Sequence, residues 1–244
     1  MHRRIKQLFN DSRGSLGSRQ LVKKLAQEDI KVCRSQVRNI MKKHHLAVVQ
    51  RRAYKVTSKR KHSDTVADNL LNMQFNPRKR NQVWAGDVTY LRTHQGWCYL
   101  AVVMDLYSRK IIGWHISKRM TTNLVERAMK MAIHLRQPPE GLIFHSDRGS
   151  QYTSKRFSQL LKDNKIKASM SGKGACLDNA VVERFFGSLK HEWLLKVNHL
   201  TRESMKMDVY KYIGYYNHDR LHTTLEDMAP VDYEKSNLKV SNLG

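Results

Sequence analysis

The spacing of apolar residues changes along the chain and predicts short helices first and strands later. Up to residue 49 the apolar positions repeat with the period of an α-helix. The first predicted helix covers residues 1–9 and has Ile5, Leu8 and Phe9 on its apolar face. The second is capped by Ser18 and has Leu21, Val22 and Leu25 on one face. The third covers residues 34–46, with Val37, Ile40 and Met41 pointing inward. The second and third helices flank a tight turn, which is typical of a helix-turn-helix domain over residues 1–49. A basic helical hairpin without DNA-binding function is the alternative.

Residues 50–80 lack such a period and carry clusters of basic residues. This composition predicts a linker near phosphate backbones, with one short helix around residues 64–74. From residue 81 onward, β-rich runs alternate with helical patterns. The predicted strands cover residues 83–91, 97–108, 110–117, 141–147 and 167–171, and the predicted helices cover residues 121–136, 153–163, 178–193 and 201–218.

The order β-β-β-α-β-α-β-α predicts an α/β fold, a ribonuclease H-like mixed five-stranded sheet with helices on both faces. We assign residues 81–198 to this core and residues 199–244 to a C-terminal helical extension. The faces expected to be buried are Leu124, Ala128, Met131 and Leu135 in the helix at 121–136, and Val182, Phe186, Leu189 and Trp193 in the helix at 178–193.

Composition narrows the range of functions. The formal charge of +24 and the pI near 10.2 indicate a polyanionic partner, most often nucleic acid. Residues 1–80 hold 21 Lys and Arg against 5 Asp and Glu, so the basic excess is concentrated before the predicted sheet. Three widely spaced cysteines disfavour a disulfide framework or a cysteine zinc site, and no segment resembles a signal peptide. We therefore expect a soluble cytoplasmic protein, with no membrane partner.

Three carboxylates occur where this fold would bring them together. Asp87 lies inside the first predicted strand, Asp147 ends the fourth, and Glu183 lies on the helix at 178–193. The first and fourth strands are neighbours in a sheet of this order, so the two aspartates are expected side by side, with Glu183 brought to them by its helix. The remaining acids nearby, Asp105 and Asp178, are expected to have structural roles.

Carboxylates held this close repel one another unless a cation lies among them. Hard divalent cations prefer such oxygen ligands, and Mg²⁺ in particular binds a few carboxylates together with substrate phosphates. Two such ions can assist phosphoryl displacement. The sequence therefore predicts that Asp87, Asp147 and Glu183 bind Mg²⁺, with two ions expected and Mn²⁺ as a substitute.

At these residues the sequence resembles the catalytic, second-frame product of bacterial insertion-sequence transposases of the retroviral-integrase type. The resemblance spans nearly the whole chain and is carried by the segments WAGDVTY, GWCYLAVVMDLYSRKIIGW, HSDRGSQYTS, DNAVVERFFGSLKHE and YNHDRLHTTLEDMAP. It implies that Asp87, Asp147 and Glu183 form a DDE triad, and that Lys190 contacts DNA near the cleaved end. The implied reaction is hydrolytic nicking that frees a 3′-OH, followed by attack of that 3′-OH on another phosphodiester.

The resemblance also implies partners: the DNA of the element ends and target, further copies of the chain on that DNA, and an upstream-frame protein joined by frameshifting. Besides Lys190, the candidate DNA contacts are Arg34, Gln36, Arg38, Lys42, Arg51, Arg52, Arg148 and Lys173. His218 and His222 are four residues apart and could share a helix face; the resemblance places them outside the triad, and we expect them to make DNA or packing contacts. Two other classes of protein remain as alternatives: a DNA-binding regulator without catalysis, and a ribonuclease H-like nuclease that hydrolyses without strand transfer.

Overall fold

The chain divides into two compact units. The computed structural model describes residues 1–48, 67–71, 76–172 and 180–241, with side chains up to residue 236. The first unit comprises Met1–Thr57 and Ser188–Val197, and the second comprises Ser58–Gly187 and Asn198–Gly244. The predicted C-terminal extension therefore belongs to the same unit as the sheet. None of the helices in the described ranges combines the length and apolar character needed to cross a membrane.

The first unit contains three short helices, as the apolar period predicts. They are α1 (His2–Asp11), α2 (Ser18–Ala26) and α3 (Arg34–Lys43). Their shared core consists of Ile5, Leu8, Leu16, Leu21, Leu25, Val37 and Ile40. The expected Ser18 cap is wrong by one residue, because Gly17 precedes the first turn of α2 and its N–H donates to Gln20 Oε1 at 3.3 Å.

The second unit is built on a mixed five-stranded sheet with strand order β3-β2-β1-β4-β5. The strands are β1 (Val83–Thr93), β2 (Gly96–Asp105), β3 (Ile111–Ser117), β4 (Ile143–Ser146) and β5 (Lys167–Met170). The first three strands pair antiparallel, while β4 pairs parallel with both β1 and β5. The predicted neighbourhood of the first and fourth strands, and the ribonuclease H-like arrangement, are confirmed.

Helices cover both faces of this sheet. They are α4 (Thr122–Arg136), α5 (Lys155–Asp163), α6 (Ala180–Glu192), α7 (Arg202–His218) and α8 (Pro230–Ser241). Adjacent residues of β3 point to opposite sides: a Cβ on Gly113 would lie 2.2 Å from the carbonyl oxygen of Ala128 in α4, whereas the Trp114 ring lies 6.2 Å from that of Tyr210 in α7. The absence of a side chain at Gly113 thus allows α4 to approach the sheet.

The buried face of α4 differs from the expected one. Leu124 and Ala128 are buried as expected, but Met131 and Leu135 are exposed, and Ala132 is buried instead. A small residue is required there because the α4 backbone approaches Gly113, so size is a poor guide to which residues point inward. The expected stripe on α6 is confirmed, since all four of its residues are buried.

The short helix expected around residues 64–74 is absent from residues 67–71, the part of it that the structure describes. This segment runs along β5 instead. The N–H of Met170 donates to the carbonyl of Asp68 at 3.3 Å, and the N–H of Leu70 donates to Ser169 Oγ at 2.9 Å. Leu71 is buried.

Candidate active site

Parallel pairing of β1 with β4 places two aspartates next to each other. Gly86 of β1 pairs with Ser146 of β4, and the following residues of the two strands are Asp87 and Asp147. Hydrogen-bonded strands lie roughly 5 Å apart, so side chains at corresponding positions of the two strands lie close to each other on the same face of the sheet. Both aspartates are partly exposed. The strand register thus puts Asp87 and Asp147 at adjacent positions of neighbouring strands.

Two glycines allow the backbone to approach closely here. A Cβ on Gly86 would lie 2.4 Å from Phe144 Cζ, because the Phe144 ring packs over the β1 backbone. A Cβ on Gly149 would lie 2.9 Å from Asp147 Oδ1. Side chains at either position would therefore displace the strand pairing or the second carboxylate itself.

Backbone amides orient both aspartates. The N–H of Val88 donates to Asp87 Oδ1 at 2.7 Å, and the N–H of Gly149 donates to Asp147 Oδ1 at 2.9 Å. These two hydrogen bonds hold the aspartate side chains in place at the ends of the paired segments of β1 and β4.

Glu183 is the third acid at this end of the sheet. It lies in the first turn of α6, and its side chain is exposed. Local desolvation raises the pKa of Glu183, and the negative charge of Asp147 raises it further. The helix therefore brings Glu183 near enough to Asp147 for the two charges to repel each other.

Tyr152 is a member of the site that the sequence interpretation missed. It is buried, and its ring contacts those of Phe144 and Phe157 at centroid distances of 6.0 and 5.4 Å. Burial raises the pKa of Tyr152 well above its ordinary value, and the charges of Asp87 and Asp147 act in the same direction. A tyrosine five residues after Asp147, in a short loop leading to a helix, was the signal available in the sequence.

The donor set agrees in kind with a divalent metal. All three side chains offer hard carboxylate oxygens, the ligand type that Mg²⁺ and Mn²⁺ prefer. Within the described ranges, however, no three His, Cys, Asp or Glu side chains are grouped closely enough to hold a metal ion as they stand. Glu183 would have to move towards the aspartates to complete such a group, and its exposed side chain has the rotational freedom to do so.

A buried polar cluster surrounds His145, two residues before Asp147 in the sequence. His145 is completely buried, and its Nδ1 lies 2.9 Å from Ser169 Oγ while its Nε2 lies 3.4 Å from Ser171 Oγ. Arg148, the residue after Asp147, donates from Nε to the carbonyl of Ser171 at 2.7 Å. These contacts connect β4 to the end of β5 on both sides of Asp147. For Arg148, an expected DNA contact, they show a structural bond as well.

The other predicted contacts are spread over the chain. Arg34, Gln36, Arg38 and Lys42 are all exposed on α3, and Lys190 is half-buried in the last turns of α6. Gln36 also has a structural role, because its Oε1 accepts the N–H of Cys33 at the start of α3 at 3.0 Å. Arg51, Arg52, Lys173 and Asp178, the last of which was expected to have a structural role, lie outside the described residues.

The two histidines and Asp105 lie outside the acidic trio. The shared helix face of the two histidines is wrong: α7 ends at His218, and His222 lies beyond it, buried and bridged to Met228. The structural role of Asp105 is supported, because its two carboxylate oxygens accept the N–H groups of Asn81 and Tyr107 at 2.9 and 3.0 Å.

Comparison with known proteins agrees with this geometry. Family models described as "Integrase core domain" match residues 77–176 and 183–238, and one described as "HTH-like domain" matches residues 1–54. A 31 kDa protein of the insertion element IS600 from Shigella sonnei is 38% identical over 225 residues, which cover 92% of this chain and 83% of that protein. The chain belongs to the integrase-core transposase family of insertion elements.

A further relative and two solved structures are also similar to this chain. Transposase InsF of the insertion sequence IS3A from Escherichia coli K12 is 45% identical over 188 residues, which are 77% of this chain but 65% of InsF. The chain therefore matches less than two thirds of the InsF length.

The magnesium-bound catalytic core domain of HTLV-2 integrase shares the fold at 22% identity and a TM-score of 0.51, covering 64% of this chain and 97% of that one. A chain of the simian T-cell lymphotropic virus intasome matches 94% of this chain at 17% identity and a TM-score of 0.55, with 74% of its own length covered.

Proposed function

We propose that this chain is a DDE-type polynucleotidyl transferase that cleaves DNA strands at the ends of an insertion sequence and transfers them to a target. The catalytic and metal-binding residues in this proposal are Asp87, Asp147 and Glu183. The observation that carries it is the parallel β1–β4 pairing, whose register makes Asp87 and Asp147 the next residues of neighbouring strands, and Glu183 is near enough to feel the charge of Asp147. That arrangement occurs in a member of a transposase family with an integrase core.

The cofactor in this proposal is Mg²⁺, with Mn²⁺ as a substitute, and two ions are expected. Bound metal would supply positive charge to the attacking and leaving oxygens of a phosphodiester. The contribution of the chain is positional. Backbone amides orient Asp87 and Asp147, while Glu183 extends from the first turn of α6. The magnesium in the HTLV-2 integrase structure supports this cofactor class.

Water serves as nucleophile in the first proposed step and frees a 3′-OH, and that 3′-OH attacks a second phosphodiester in the next. Each step forms one P–O bond and breaks another, so no oxidant or reductant is needed. The raised pKa of Glu183 means that its carboxylate binds a proton more readily than an ordinary glutamate. A cation close to it would offset the repulsion from Asp147 and favour the ionised form.

DNA is the proposed partner. The exposed Arg34, Arg38 and Lys42 on α3 present positive charge on one short helix, as a recognition helix does in the major groove. Further copies of the chain are proposed to assemble on the DNA, because two element ends must be brought together. An upstream-frame protein or fusion is a further proposed partner, because the sequence resembles second-frame transposase products.

The test is a nicking and strand-joining assay with Mg²⁺ or Mn²⁺ on labelled DNA that carries the flanking ends of the element. Wild type is compared with Glu183→Gln and with Glu203→Gln, which removes an exposed carboxylate from the first turn of another helix. We expect nicked and joined products from wild type and Glu203→Gln only. Nicks without joining would indicate a nuclease. DNA binding without any product, even with an upstream-frame protein added, would indicate a regulator.

A further inference from the structure

The far end of the β1–β2 hairpin carries aromatic rings that the core does not cover. Tyr90 and Trp97 are 41% and 45% exposed, although large aromatic side chains usually contribute to cores. Arg92 is exposed and Tyr99 is half-buried beside them. We call Tyr90, Arg92, Trp97 and Tyr99 the aromatic platform.

The register of the hairpin puts these four side chains on one face. Tyr90 pairs with Tyr99, and Arg92 pairs with Trp97, so the two cross-strand pairs are adjacent and point the same way. The ring centroids of Tyr90 and Tyr99 are 5.3 Å apart, and those of Tyr90 and Trp97 are 6.3 Å apart. The guanidinium of Arg92 lies 5.2 Å from the Trp97 ring centroid. Both ring contacts are edge-to-face, with interplanar angles of 84° and 68°, so the result is a cluster of differently oriented aromatic faces with a cation beside it.

The platform is held rigidly from behind. Tyr99 packs against the main hydrophobic core of the second unit. Arg202, at the start of α7, donates from Nε to the carbonyl of Trp97 at 3.3 Å and from its backbone N–H to Gln95 Oε1 at 3.0 Å. A surface ordered in advance loses little conformational entropy when a ligand binds. Arg202 also adds a second guanidinium at this hairpin.

We propose that the aromatic platform binds unpaired nucleotides of DNA by stacking their bases on Tyr90 and Trp97. Exposed aromatic side chains combined with cations are the usual means by which proteins bind single strands, since every base offers a flat face to a ring. In a duplex those faces are hidden by neighbouring base pairs. The platform therefore selects single-stranded over double-stranded DNA.

Charge favours a nucleic acid over a second copy of the chain as the occupant. Each copy has a formal charge of +24, and the platform itself contains the guanidinium of Arg92. Two identical copies would bring their Arg92 guanidinium groups together, whereas a phosphate backbone would neutralise them. The occupant we infer is thus a polyanion with exposed aromatic faces.

The position of the platform connects it to the proposed reaction, on which this inference rests for its DNA substrate. Tyr90 follows Asp87 by three residues on the same strand, a distance of roughly 10 Å. Because side chains alternate along a strand, the platform lies on the opposite side of the sheet from Asp87. It would therefore hold nucleotides that flank the reacting phosphodiester, not the reacting one.

Fluorescence anisotropy with a labelled single-stranded oligothymidylate and a duplex of equal length tests this inference. The variants are Trp97→Ala, Tyr90→Ala and Trp97→Tyr, with Tyr210→Ala as a matched control, since Tyr210 is 62% exposed on α7 away from the platform. We expect Trp97→Ala and Tyr90→Ala each to weaken oligothymidylate binding about tenfold, with duplex binding changed less than about twofold. Trp97→Tyr keeps a ring and should retain most of the affinity.

Equal affinity of Trp97→Ala and wild type for oligothymidylate overturns the inference, as does an equal loss in Tyr210→Ala. A change in oligomeric state, measured by sedimentation, without a change in single-strand binding would show that the platform is an interface between copies and would also overturn it. Far-UV circular dichroism verifies that each variant is folded. Oligothymidylate binding is measured without metal and without cleavage, so failure of the cleavage proposal and failure of this inference are separable.

Discussion

Substitution of Gly86 by alanine tests whether close packing at this residue positions the two aspartates. The added Cβ would lie 2.4 Å from Phe144 Cζ and 2.9 Å from its Cε2, whereas carbon atoms in contact are normally about 3.5–4.0 Å apart. The Phe144 ring would therefore have to move by about 1 Å. It has little room, because it is 2% exposed and packs against Tyr152 and Phe157.

Overpacking of this kind commonly costs about 1–3 kcal/mol of the free energy of unfolding. We expect Gly86→Ala to fall near the upper end, about 3 kcal/mol, because the new Cβ also approaches the carbonyl of Val102 at 3.3 Å. For a chain of this size that corresponds to a melting temperature lower by roughly 6–12 °C. The measurement is urea denaturation followed by far-UV circular dichroism.

A double-mutant cycle identifies the cause. Phe144→Leu removes the two ring atoms nearest the new Cβ, so Gly86→Ala should cost less than about 1 kcal/mol in that background. Gly214→Ala is the matched control: nothing lies within 4 Å of its Cβ position in α7, and it should stabilise the protein by about 0.5–1 kcal/mol. An equal cost of Gly86→Ala in both backgrounds would refute the packing argument.

Three further predictions concern pH, a buried ion pair and DNA affinity. Burial raises the pKa of Asp105 from 3.8 to about 6, so the folded state keeps a proton that the unfolded state releases, and stability should fall by up to about 3 kcal/mol as pH rises from about 4 to above 6. Asp105→Asn should remove that slope in urea denaturation, and an unchanged slope would contradict the assignment. Arg136→Met leaves the buried Glu234 without its 2.6 Å partner and should cost about 3 kcal/mol, whereas a loss below 1 kcal/mol would show that Lys110 suffices. Arg38→Ala on α3 should lower the salt dependence of duplex binding by about one phosphate contact, and wild-type salt dependence would exclude such a contact.

Element order and the main apolar stripes were predictable from the sequence, because each depends on local periodicity. The alternation of strands and helices was enough to make β1 and β4 neighbours and to bring Asp87 and Asp147 together. The stripe on α6 followed from spacing alone. These features are repeated over many residues, so a shift of one or two positions does not change them.

The features that were missed depend on contacts between distant segments. Met131 and Leu135 are larger than Ala132, yet Ala132 is buried because α4 must pass close to Gly113. Residues 67–71 have no strand pattern of their own, and their position follows from hydrogen bonds to β5.

Single residues at the ends of elements were also missed. His222 is four residues from His218, but α7 ends first. Tyr152 lies near the two aspartates only because the short loop after Asp147 turns and its ring packs against Phe144 of β4. No local period marks such positions.

The central claim is that Asp87, Asp147 and Glu183 together hold divalent metal for DNA cleavage. Its most direct test is a titration of the full chain with Mn²⁺, in which electron paramagnetic resonance measures the Mn²⁺ that stays free. This measurement needs neither the element DNA nor an upstream-frame partner. We predict saturable binding to wild type and to Glu203→Gln, and a strong loss in Asp87→Asn, Asp147→Asn and Glu183→Gln. Equal Mn²⁺ binding by wild type and all three of these variants would contradict the claim.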